Sequence, residues 1–183
     1  MKTSFVQLRP SIVIKTAIYT LLSVLLISIT SSFLPALGYT GARADLVLCA
    51  VIALAYFESE KFAAIFGMLT GFALESVGST GVCILPLFYM LTGCICALLF
   101  SRFLGKNFGI YMLYISLFSI VRIALTLILT QLELADLSLD LAFSEILLWE
   151  YLCTVLSAPI LFFTIMLISK RTNPKKDIQE MRV

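Results

Sequence analysis

The sequence predicts an all-α, polytopic integral membrane protein with about six transmembrane helices. Three observations predict it. The 183-residue chain is 61% hydrophobic and 13% charged, more apolar surface than a soluble fold of this size can hide. Its apolar residues gather into long segments parted by short polar stretches. Of its 13 Lys and Arg residues, all but Arg43 and Arg122 fall in four patches that bracket successive pairs of segments. The patches are Lys2, Arg9 and Lys15; Lys61; Arg102 and Lys106; and Lys170, Arg171, Lys175, Lys176 and Arg182. Basic flanks stay on the cytoplasmic side during insertion, so the rhythm places both termini in the cytosol.

The expected spans follow in order, within one transmembrane domain covering residues 1–183. The first runs over 16–37 behind a basic tail, 1–15. Ala42-Arg43-Ala44 offers a signal-cleavage reading, but the apolar stretch is longer than a signal core. The second, 46–57, would be about 18 Å long as a helix, short of a ~30 Å hydrocarbon core. Either residues 42–45 are drawn in, or the helix is short and shielded by neighbours. The third, 62–77, follows the turn Glu58-Ser59-Glu60-Lys61, and the fourth, 82–101, follows Gly78-Ser79-Thr80-Gly81. Turns this short make segments two to four antiparallel neighbours. The fifth spans 108–131 and the sixth 146–169, leaving a polar cytoplasmic tail, 170–183, with Pro174 as a breaker.

Several chemistries are excluded or disfavoured. There is no His, which removes the commonest general base and metal ligand. The five Cys lie in or beside apolar runs without a C-x-x-C, as packing residues do. Cys94 and Cys96 point in different directions on a helix, so a redox or metal pair is not expected. Nucleophile-elbow, zincin, P-loop and dinucleotide fingerprints are absent. The expectation is a non-enzyme without catalytic residues, metal or cofactor, and without a nucleic-acid partner.

Three features could carry function. Gly67 and Gly71 form a G-x-x-x-G, echoed by Gly93 and Ala97; small residues on one face admit another helix, from this chain or a partner. Arg122 lies inside the fifth segment, where a charge needs a partner. By rise along each helix, Glu75 and Glu150 reach a similar outer depth, and Thr126 extends the same face. The cluster Glu75, Arg122, Glu150 and Thr126 reads as a register-fixing ion pair, an outward ligand pocket, or a contact with a partner's helix. The outer stretch 132–145 carries Glu133, Asp136 and Asp140 among leucines at helical spacing, a solvated loop or a docking helix.

The stretch from Ala44 to Ala97 resembles the MreD family of bacterial rod shape-determining membrane proteins. Asp45-Leu46 is similar to the family's Pro-Asp-Leu motif, with Ala44 in place of Pro. The glycine-rich segment from Gly67 to Ser76 resembles the family helix that ends in an acid, here Glu75 rather than Asp. Gly78 and Gly81, followed by an apolar run to Gly93, are similar to the next turn and helix. The resemblance implies a bacterial inner-membrane scaffold in the cell-elongation machinery, regulating cell shape and lateral peptidoglycan synthesis. It implies an MreC-like bitopic partner in a wider complex with MreB, RodA and a class B penicillin-binding transpeptidase, with membrane lipid as a further partner of the chain. It also implies a fold like the S components of energy-coupling-factor transporters, which keeps a vitamin-like solute-binding role as the alternative.

Overall fold

The structure is a computed structural model, and it describes residues 10–33, 44–78, 84–102, 107–133 and 146–172. Among the described residues there are six helices and no strand. These are α1 (Pro10–Ser28), α2 (Leu46–Phe57), α3 (Glu60–Gly78), α4 (Leu85–Arg102), α5 (Phe108–Glu133) and α6 (Ile146–Thr172). A short stretch of π-helix, Ile29–Phe33, prolongs α1.

Two local signals set helix starts. Pro10 opens α1, and Pro86 sits in the first turn of α4, where its fixed φ and missing N–H cost nothing. Asp45 caps α2, its carboxylate accepting from the amide of Leu48. At the other end of α2 the amide of Glu58 donates to Leu54, and the chain turns directly into α3.

α2 is the axis of the bundle. Its residues from Val47 to Tyr56 are buried, and it packs against each of the other helices. The segment too short to cross a bilayer alone is thus short and shielded, and Ala44 and Asp45 are buried with it. Around it, α3 and α4 make the tightest pair. A Cβ on Gly67 would land on the carbonyl of Tyr89, and one on Gly71 would stand 2.5 Å from Cα of Pro86. A Cβ on Gly93 would stand 2.7 Å from the carbonyl of Ala63, and Ala97 is buried. The small-residue faces are therefore spent on internal packing. Aromatic rings fill the end of the bundle where α2 finishes: Tyr56 and Phe100 meet at 5.1 Å, and Tyr111 and Phe162 at 4.7 Å.

Outside this core the described helices expose many large apolar side chains. Leu21 and Leu156 are each 72% exposed and Ile160 69%, and large exposed aliphatics recur on every helix except α2. Hydroxyls on the outer faces bond their own helix: Thr20 to the carbonyl of Thr16, Thr126 to that of Arg122, and Thr164 to that of Ile160. Among the described residues two helices are long and apolar enough to cross a membrane, over Phe108–Ile128 and Leu148–Arg171.

Candidate functional site

One end of the bundle gathers the N-terminal parts of α2, α4 and α6 and the C-terminal half of α5. Here the chain buries charge. Arg122 of α5 reaches both Asp45 at the cap of α2 and Glu150 in the first turns of α6. Its Nη1 donates to Glu150 Oε1 at 2.6 Å. Its Nε stands 2.9 Å from Asp45 Oδ2, an electrostatic contact whose N–H is not aimed at the oxygen. The side chains of Arg122 and Glu150 are 17% and 18% exposed, and that of Asp45 only 3%.

Asp45 is the hub. One carboxylate oxygen accepts from the Leu48 amide at 2.9 Å. The other accepts from the phenol of Tyr89 on α4 at 2.8 Å while facing Arg122. Its own amide donates to Thr154 Oγ1 on α6 at 3.0 Å, and that hydroxyl donates on to the carbonyl of Glu150. A charged group taken from water costs several kcal/mol unless its lone pairs and charge are met, as they are here. Through this one residue α2, α4, α5 and α6 are tied together. Beside the cluster Ser116 and Tyr151 share a hydrogen bond of 2.5 Å between α5 and α6.

The sequence placed Arg122 and Glu150 together, and the structure does so. The second carboxylate that grips the guanidinium is Asp45 rather than Glu75. Glu75 is buried near the end of α3. Thr126 sits one turn beyond Arg122, bonded to its carbonyl and exposed. Tyr89, Thr154 and Asp45's part in the cluster were missed. The signal for Asp45 was present: an acid capping an apolar helix too short to bring its own end to the surface. Leu46 is the first residue of α2 and Gly78 the last of α3; Gly81, Asp136 and Asp140 lie outside the described residues, and Glu133 ends α5.

A guanidinium held between two carboxylates is chemically quiet. It offers no nucleophile, and no group of three or more potential ligands capable of holding a metal occurs among the described residues. What the arrangement can do is fix the relative positions of four helices. No family model, curated protein or solved structure matches the chain.

Proposed function

We propose that the chain is a non-enzymatic inner-membrane adaptor of the bacterial cell-elongation machinery, similar to MreD, crossing the membrane six times with both termini in the cytosol. Its partner is a bitopic protein like MreC, within an assembly that includes MreB, RodA and a class B penicillin-binding transpeptidase. One observation carries the reading. The residues on which the resemblance rests hold the bundle together: Asp45 is the hub of the buried ion cluster, and Gly67 and Gly71 sit at the tightest helix crossing. A helical frame whose buried arginine is held between two carboxylates suits a scaffold that presents surfaces to other proteins. The exposed aliphatic surface of the outer helices supports placement in a bilayer.

The test is conditional depletion in the native bacterium, together with affinity purification in mild detergent. Rod-to-sphere conversion and recovery of a bitopic partner are expected. Unchanged shape after full depletion, with no such partner recovered, would overturn the reading.

The alternative, a solute-binding transporter subunit, needs the polar cluster to face a ligand. Arg122 spends its charge on Asp45 and Glu150, which weighs against that role. A vitamin-like molecule retained through purification and released on denaturation would revive it.

A further inference from the structure

At the bundle end opposite the ion cluster, a cleft of about 390 Å³ opens between the α2–α3 turn and the last turn of α4. Ala55, Ala97, Tyr56 and Phe100 contribute apolar and aromatic walls, and Glu60 and Lys61 line it together with the exposed hydroxyls of Ser59 and Ser101. Glu58 lines the cleft as well, but its carboxylate is already engaged, taking Lys15 at 2.5 Å and the phenol of Tyr19 at 3.3 Å. That leaves one acid and one base. Among the described residues Glu60 accepts only from the hydroxyl of Ser101, at 3.2 Å, a proton shared with the closer carbonyl of Leu98 at 3.0 Å, and Lys61 is exposed and closes no ion pair.

We propose that this cleft binds the headgroup of a zwitterionic phospholipid with a primary ammonium, phosphatidylethanolamine. The proposal rests on the membrane placement above but not on the family resemblance. Charge decides the headgroup. An ammonium donates to Glu60 and the serine hydroxyls and can lie against an aromatic face, while the phosphate takes Lys61. An anionic headgroup would meet Lys61 but press against Glu60. A quaternary ammonium has no N–H to give.

Size and surroundings agree. The cleft lies at the small end of ligand pockets, large enough for a headgroup but not for a whole lipid. From Lys61 a stripe of exposed apolar side chains climbs one face of α3: Ile65 at 60%, Leu69 at 56% and Phe72 at 48%. The eleven-residue step from Lys61 to Phe72 is about 16 Å of helix, close to the depth of one leaflet of a ~30 Å hydrocarbon core. A headgroup seated in the cleft has a track for its acyl chain.

The test is native mass spectrometry of the full chain in mild detergent. It is titrated with dioleoyl phosphatidylethanolamine, the matching phosphatidylcholine and phosphatidylglycerol, and free phosphoethanolamine as competitor. Phosphatidylethanolamine is expected to be retained about tenfold over the other two. Glu60→Gln and Lys61→Gln should each abolish that preference without lowering the lipid-free melting temperature; Lys61 makes no ion pair to lose, which guards against misfolding as the cause. Equal retention of all three lipids, or a preference untouched by both variants, overturns the proposal. Displacement by free phosphoethanolamine at concentrations equal to the lipid overturns the lipid assignment. Failure of the membrane placement is read separately, as release of the chain from membranes by alkaline carbonate.

Discussion

Arg122 stands among more carboxylate than it can neutralise, so its removal and that of its partners have unequal costs. Arg122→Ala strands Asp45, whose side chain is 3% exposed, and should cost about 3–5 kcal/mol. Glu150→Gln leaves the guanidinium on Asp45 and removes a charge that water partly reaches, so it should cost less. The combined change Asp45→Asn with Arg122→Leu removes both charges and should fall well short of the sum. Unfolding in mixed micelles checks all three, and additive losses for the Asp45 and Arg122 changes would refute the pairing. Tyr89→Phe tests the hub from another side. It removes one hydrogen bond to a carboxylate, worth about 1.5–3 kcal/mol, and leaves the ring packing in place. An unchanged unfolding midpoint would place the carboxylate elsewhere.

At the scale of helices, the close approach of α3 and α4 depends on missing side chains. Gly67→Ala drives a methyl into the Tyr89 backbone, and Gly71→Ala into that of Pro86. Backbone cannot yield as a side-chain tip can, so each should destabilise by about 1–3 kcal/mol. Gly109→Ala, with nothing within 4 Å, should be neutral or stabilise by about 0.5–1 kcal/mol through helix propensity. Thermal melts of the three variants check the contrast. Gly67→Ala should also loosen the ion cluster, because the residue it displaces carries the phenol on Asp45. Much of this level was legible in the sequence. The bounds 46–57 match α2, and α3 exceeds its expected range by two residues at the start and one at the end. Helix starts differ at α1, which begins at Pro10 rather than residue 16, and at α4, which begins at Leu85 rather than 82, while α5 and α6 run on to Glu133 and Thr172 rather than 131 and 169. Both starts carry proline signals that an eye on hydropathy alone passes over. Depth arithmetic brought Glu150 to Arg122 because both lie on long helices whose ends are marked. It passed over Asp45 because rise along a helix gives height, not neighbours. Only the packing of a short helix at the centre makes its cap the nearest buried acid.

For the whole molecule the question is which solvent meets the outer helices, and a single substitution asks it with opposite signs. Leu156 lies well inside the apolar window Leu148–Arg171 of α6 and is 72% exposed. In water, Leu156→Arg would replace an exposed aliphatic with a solvated charge, leaving stability within about 0.5 kcal/mol and improving solubility. In a bilayer the same side chain faces hydrocarbon. Near a helix centre Arg costs about 2.5–3.5 kcal/mol on insertion, enough to lower the fraction of correctly inserted chains several-fold. Leu21→Arg on α1, also at a 72% exposed position, should behave alike. By contrast Lys170, at the end of α6 in a basic patch, should tolerate exchange for Arg without loss. Carbonate-resistant yield and terminal reporter fusions measure the outcome. The six-crossing arrangement requires both reporters in the cytosol and a selective loss of insertion for the two leucine variants. Full yield of soluble, folded Leu156→Arg protein would instead make the exposed aliphatics a protein-binding surface and remove the bilayer from the argument.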